Sequence, residues 1–471
     1  MVQNEICFMP ATELAERLRS RRLSASEVVQ AFLERIRRVN PSLNAYVTLD
    51  EERALREARA ADERLFHAAR PEPLHGVPFS VKDVVFTAGL RTTAGSRIYE
   101  RYVPEKDAIA VARLRAAGAI LLGKTNTPEF GYKATTENPL FGPTCNPWDM
   151  TRTAGGSSGG AAAATAAGLS PLSVGTDGGG SIRIPASFCG VFGLKPTFGR
   201  VPVLPGFGGW RTLSHTGPIA RTVRDAALMF DVMAGPHEID RVSLPESPTS
   251  CLSELEHPRK NLRLGYSADL GFATVEHEVA AVVEAVLPVF EEIGHSVEKT
   301  EIALGAAKKS FETIVLVENA GANGKYLEEH RALMDEGLVK FIEAGLECRA
   351  VDYTAATRVR DDLAAKLAAF FADHDLLLTP TVAVAPFPIG QAPREMGGVK
   401  MEPVDWIPFT YAFNLTGNPA ASVPCGTTAV GLPVGLQVVG PRHADALVLN
   451  LCAQLEEARP WAHHRPVSND Q

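Results

Sequence analysis

Apolar side chains recur at helical intervals through the N-terminal part of the chain and in shorter, denser runs after it. Over residues 10 to 66 the pattern predicts helix: Val28, Phe32, Ile36 and Val39 make one apolar stripe, and Ser24 followed by Glu27 has the form of a capping box. From Leu74 the texture changes to short apolar segments alternating with glycine-rich loops and helices: Val77 to Val81, a helix over Ala108 to Ala117, then Ala119 to Leu122. That alternation predicts an α/β chain with a helical layer over residues 1–70. Residues Ala161 to Ala167, alanine broken only by Thr165, predict a helix slim enough to pack its backbone close to a neighbouring strand. A further amphipathic helix carries Val275, Val279, Val282, Val286 and Ile293, ends before Gly294 and bends at Pro288. The segment Val384 to Gly398, rich in proline and glycine, reads as a loop at an active-site rim.

Composition narrows the function classes. Hydrophobic residues at 45% and charged residues at 22% of 471 are the balance of an ordinary soluble globular protein. A net charge of -8 argues against a grip on nucleic-acid phosphates. The basic run Arg17 to Arg22 lies among Glu13, Glu16 and Glu27, so it reads as a solvated helix face. Seven widely spaced cysteines with no C-x-x-C pair favour free thiols in a reducing compartment. No apolar run approaches the ~20 residues that span a bilayer. A cytoplasmic chain with neither nucleic-acid nor membrane partner is the expectation.

Three motifs compete to carry chemistry. Gly118 to Thr125 satisfies G-x-x-x-x-G-K-[ST], but Ala119 to Leu122 is strand-like and Pro128 follows at once, so a phosphate loop opening a helix does not fit. Gly155 to Gly159 satisfies G-x-S-x-G, yet no apolar strand precedes it and none of the twelve histidines stands out as a triad base. The third is Gly175-Thr-Asp-Gly-Gly-Gly-Ser181-Ile-Arg-Ile-Pro185, which follows the apolar segment Leu169 to Val174. A flexible linker is its plain reading. Its place between an apolar segment and an Ile-Arg-Ile-Pro run favours instead a backbone held in special dihedrals, with N–H groups converging beside the Ser181 hydroxyl as an oxyanion hole requires. A serine nucleophile needs a base, and Lys82, ending the strand Val77 to Val81, is a candidate; a solvated strand-end lysine is the alternative.

Taken together these segments resemble the amidase signature family. Its Gly-Gly-Ser-Ser-Gly-Gly stands as Gly155 to Gly160, its Gly-Thr-Asp-x-Gly-Gly-Ser-Ile-Arg-x-Pro as Gly175 to Pro185, and Phe188 to Thr197 continues the match. Gly76 to Asp83 and Gly123 to Pro128 match further family segments, and the spacings from Lys82 to Ser157 and from Ser157 to Ser181, 75 and 24 residues, agree as well. The resemblance runs from about Pro10 to Pro460 and is weak between Gly235 and His374. It implies a large mixed, mostly parallel twisted β-sheet covered by helices on both faces. It also implies a single domain over 1–471, with a catalytic core segment over 76–200 and a variable helical region over 236–374. It further implies that Ser181 is the acylated nucleophile, Ser157 the proton relay after a cis peptide bond, and Lys82 a buried base. Ser158 is expected to bond to the lysine, Asp177 and Arg183 to brace the loop, and the N–H groups of Gly178, Gly179, Gly180 and Ser181 to bind the oxyanion. Gly178 replaces the bulkier residue of many relatives, which is expected to leave the hole intact and the loop more mobile. No metal or organic cofactor is expected.

Substrate choice falls to less informative segments: Phe130, Gly131 and Tyr132, the loop Leu204 to Trp210, and Met401 to Phe413 with Trp406, Phe409, Tyr411 and Phe413. Aromatic residues there suit a pocket for an aryl or alkyl amide, with carbamates included, or they simply pack the loops onto the sheet. The partner expected is thus a small-molecule amide, met by a monomer or homodimer. The rival is the amidase subunit of a tRNA-dependent amidotransferase, which shares the motifs but usually has glutamine where Ile184 stands, so a free-standing amidase is favoured.

Overall fold

The computed structural model describes residues 3–67 and 71–466. Residues 1, 2 and 68–70 of the expected N-terminal layer, and 467–471, lie outside them. Helices Ala11–Arg19 (α1), Ala25–Leu43 (α2) and Glu51–His67 (α3) form that layer. The capping box at Ser24 is present, and Val28, Phe32, Ile36 and Val39 are buried. One continuous helical span was too simple, because Tyr46–Leu49 (β1) interrupts it and pairs at the sheet edge.

The remaining sheet strands are Pro78–Lys82 (β2), Ile120–Thr125 (β3), Leu172–Asp177 (β4), Phe192–Lys195 (β5), His215–Ala220 (β6), Arg263–Tyr266 (β7), Ser296–Lys299 (β8), Leu376–Pro380 (β9), Ala420–Thr427 (β10) and Pro433–Val439 (β11). They form one eleven-stranded sheet in the order β1-β3-β2-β4-β6-β5-β10-β11-β9-β7-β8. Successive strand residues point to opposite faces, so strands buried at every position, as β2, β3, β5, β6 and β11 are, must be covered on both faces. The mixed α/β sheet is as expected, but the parallel majority is not. Only β2 with β3, β2 with β4, β7 with β8 and β7 with β9 run parallel; the other pairings are antiparallel. Antiparallel neighbours can be joined by short loops without a helical crossover, as β10 and β11 are.

Helix Gly159–Ala166 (α4) is buried along its whole length, as its alanines predict. Helix Arg183–Cys189 (α5) follows the Gly178 to Gly180 turn. The expected bent helix is two, His277–Glu284 and Leu287–Glu292, with Pro288 in the first turn of the second, where a missing N–H costs nothing. The region 236–374 is not purely helical: β7 and β8 close one end of the sheet, and helices Ala306–Asn323 (α6), Glu336–Leu346 (α7) and Ala350–Asp373 (α8) follow. All seven cysteines are unpaired. Among the described residues no helix is long and apolar enough to cross a membrane.

Candidate active site

Strands β2 and β4 run side by side and parallel, with Val81 opposite Val174, so Lys82 and the pair Thr176 and Asp177 emerge at the same carboxyl edge. The Lys82 side chain is fully buried. Its Nζ lies 2.6 Å from Ser157 Oγ and donates to Thr176 Oγ1 at 2.8 Å. Burial pushes its pKa down to about 7, against a smaller upward pull from the Asp177 carboxylate. Ser157 follows a cis peptide bond after Gly156. The next residue ties the two serine segments together, since Ser158 N donates to the Ser181 carbonyl at 3.1 Å. Ser157 and Ser181 line one cavity.

The expected contact of Ser158 with Lys82 is corrected. Ser158 Oγ donates to the Thr176 carbonyl at 3.1 Å and accepts from Thr176 N at 3.2 Å, and it is the Thr176 side chain that holds the amine. Sequence reasoning passed over Thr176 because it sat inside the motif as an unremarked strand residue.

Hydrogen bonds to Asp177 brace the loop before Ser181. Asp177 accepts from Gly180 N (2.7 Å), Ile182 N (3.1 Å) and Arg183 Nε and Nη2 (both 3.0 Å). Burial alone would raise the Asp177 pKa, but the Arg183 charge and hydrogen bonds outweigh it and hold the carboxyl well below its usual range. Arg183 reaches on to the Thr410 carbonyl, Gln437 Oε1 and Asn414 Oδ1, all buried partners more than two hundred residues away in sequence. The Gly180 N–H, given to Asp177, is therefore withdrawn from the expected oxyanion set. The N–H groups of Gly178, Gly179 and Ser181 donate to no protein acceptor among the described residues. Gly180 itself has φ +126°, a region for which glycine is suited, and a Cβ there would meet Thr410 Oγ1 at 2.4 Å. At Gly178 the space of a side chain is filled: a Cβ would meet Trp210 Cε3 at 2.6 Å. The glycine after the aspartate thus admits an indole over the loop rather than loosening it.

Both decoy motifs resolve physically. Ile120–Thr125 is strand, and Lys124 Nζ donates to Thr87 Oγ1 at 2.7 Å and to the Val85 carbonyl, so no phosphate cradle forms. A strand, Asp149–Thr153, does precede Gly155, contrary to expectation, but it belongs to a two-stranded ribbon with Cys145–Asn146 outside the large sheet. His215 is a histidine lining the cavity; its Nδ1 donates to the Leu213 carbonyl at 2.7 Å and its Nε2 lies 3.3 Å from Lys195 Nζ, which leaves it no free lone pair for a serine.

Of the substrate candidates, Phe130, Gly131 and Trp210 line the cavity. Phe130 stacks on Tyr326 at 5.8 Å and meets Phe207 edge-on at 6.0 Å. A Cβ on Gly131 would stand 3.3 Å from Ser157 Oγ, so the glycine roofs that hydroxyl. Tyr132 does not line it: its hydroxyl donates to Asp335 Oδ1 at 2.6 Å, anchoring the start of α7. The segment Met401 to Phe413 also stays out, its Trp406, Phe409, Tyr411 and Phe413 packing into a second apolar core. Nor does Val384 to Gly398 form the rim, since none of it reaches the cavity lining. Lining residues that the sequence did not single out include Val203, Arg211 and Ser214, and Asn319 and Asn323 on α6.

An α/β sheet that gathers a buried amine and two serine hydroxyls at one strand edge, beneath an aromatic cavity, defines an enzyme of the hydrolase class. The amidase family model matches residues 27–449. The chain is 40% identical to an acylamidase of Rhodococcus erythropolis over all of this chain and 99% of that one. It is also 40% identical to a glutamyl-tRNA(Gln) amidotransferase subunit of Thermus thermophilus, over 97% and 98% of the two chains. A bacterial aryl acylamidase of the amidase signature enzymes superposes with a TM-score of 0.91 at 32% identity, covering 97% of each chain. The chain belongs to the amidase signature family and is an amidase.

Proposed function

We propose that this enzyme hydrolyses aryl or alkyl carboxylic amides, carbamates included, through an acyl-enzyme on Ser181. The observation that carries the reading is the Lys82 amine, sealed from solvent with its Nζ 2.6 Å from Ser157 Oγ. A neutral amine has one lone pair for the Ser157 proton while its N–H stays with Thr176. Ser157 in turn takes the Ser181 proton as Ser181 Oγ bonds to the carbonyl carbon. The carbonyl oxygen becomes an oxyanion facing the unengaged N–H groups of the Gly178 to Ser181 turn, donors each worth about 3 to 4 kcal/mol of barrier. The relayed proton passes to the leaving nitrogen as the C–N bond breaks, and water then cleaves the ester by the same relay in reverse, releasing acid and regenerating Ser181.

The apolar walls at Phe130, Phe207 and Trp210 support an acyl or amine portion with aryl or alkyl bulk. Ile184, buried beneath Gly180 where the amidotransferase pattern has glutamine, supports action without a partner protein. The purified chain should hydrolyse acetanilide, aliphatic amides and nitrophenyl carbamates faster than glutamine; the opposite order would move it to the amidotransferase side. A fluorophosphonate should label Ser181, located by peptide mass spectrometry. Ser181→Ala should abolish turnover, label and acyl-enzyme alike, and retained activity would refute the assignment.

A further inference from the structure

The cavity wall is largely aromatic and aliphatic, but α6 places two carboxamides in it, Asn319 and Asn323, one helical turn apart and only 2% and 3% exposed. Asn323 Nδ2 donates to Asn319 Oδ1 at 2.7 Å, and neither side chain has another protein partner among the described residues. A carboxamide carries two N–H donors and a carbonyl acceptor. The bond between them therefore leaves the Asn319 amino group and the Asn323 carbonyl oxygen unspent. Turning both groups over and reversing the bond leaves the same inventory, one open carbonyl beside open N–H groups, so the conclusion does not depend on which atom is nitrogen. These atoms are not sealed in the core as the unpartnered Tyr411 Oη is; they keep contact with the cavity. Leaving such groups unpaired once a ligand excludes water is costly, which makes them selective for whatever can satisfy them.

We infer that Asn319 and Asn323 recognise a second amide-like group on the substrate, a carbonyl acceptor adjoining an N–H donor, as in a carboxamide, ureide or peptide unit on an arm separate from the scissile bond. This rests on the amide-hydrolase reading above and adds to it a substrate class: amides bearing a second, uncleaved amide. The flat walls of Phe130 and Phe207 suit an aryl or extended spacer between the two.

The test compares isosteric pairs. On the amine side, meta- and para-carboxamide acetanilides are set against their isopropyl counterparts; on the acyl side, anilides of a dicarboxylic acid monoamide against the same anilides ending in isopropyl. The expected result is a carboxamide preference of at least about tenfold in kcat/KM in one series, carried mainly by KM. Asn319→Leu and Asn323→Leu should collapse that ratio toward one, with folding followed by thermal unfolding. Hydrolysis of plain acetanilide with no carboxamide preference in either series would overturn the proposal alone. So would a preference untouched by both substitutions, or a loss of stability in the variants with the ratio unchanged. Failure to cleave any amide, with Ser181 unlabelled, would overturn the underlying reading and the proposal with it.

Discussion

Lys82 sits where a charged amine is least stable, and its chemistry follows from that position. Out of water the protonated form is disfavoured, which brings the pKa from 10.5 to about 7. Below that value the amine carries a proton and cannot accept one from Ser157; above it the lone pair is free. Activity is therefore expected to rise with pH through a limb centred near 7, read as kcat/KM against pH. Thr176 Oγ1 accepts from the amine and so favours its charged form. Thr176→Val should move the limb to lower pH while reducing kcat by roughly tenfold, because the amine is then less well aimed. Thr176→Ser should restore both, and a limb that stays in place would exclude Thr176 as the positioning residue.

The turn between β4 and α5 is shaped by what leans on it as much as by its own glycines. Gly178 lies under Trp210, Gly179 under Phe311, and the Gly179 carbonyl accepts from Thr410 Oγ1 at 2.7 Å. Trp210 meets Phe311 edge-on at 5.9 Å, and Phe311 stacks on Tyr411 at 4.9 Å, so the indole is wedged rather than free to swing aside. A methyl at position 178 must displace that ring. Gly178→Ala is expected to cost about 1–3 kcal/mol and to shift tryptophan emission. Adding Trp210→Ala to Gly178→Ala should remove most of that cost, a coupling a double-mutant cycle reads directly. Additive costs in that cycle would show that the indole does not occupy the space above Gly178.

Across the molecule, Asp177 and Arg183 join the carboxyl end of β4 to the far half of the sheet. Arg183 is wholly buried and bonds to Thr410, Asn414 and Gln437, which come from the C-terminal third of the chain. Breaking such a pair strands the partner charge without water. Arg183→Leu should lower unfolding free energy by about 3–5 kcal/mol, measured by urea denaturation, and Asp177→Asn in that background should recover part of the loss. No recovery would mean that the guanidinium serves the packing and not the charge.

Much of this architecture was legible beforehand, and for a reason. The Ser24 capping box, the alanine helix α4 and the motifs that carry Lys82 and Ser157, now 2.6 Å apart at Nζ and Oγ, all lie in local pattern or contiguous segments, where a side chain's neighbours in sequence are also its constraints. The glycine- and serine-rich motifs between Gly76 and Thr197 likewise marked the family without its sheet being seen. What local pattern could not decide was which long-range partner each group would take. Thr176 rather than Ser158 holds the lysine, and Gly180 gives its N–H to Asp177. Trp406, Phe409, Tyr411 and Phe413 turn into a second core, and Asn319 and Asn323 line the cavity in their place. An aromatic loop or an amphipathic helix carries the same pattern whichever surface it meets. The direction of the side chain is set only when the sheet brings segments more than two hundred residues apart within hydrogen-bonding reach, as it does for Asp177 and Asn414.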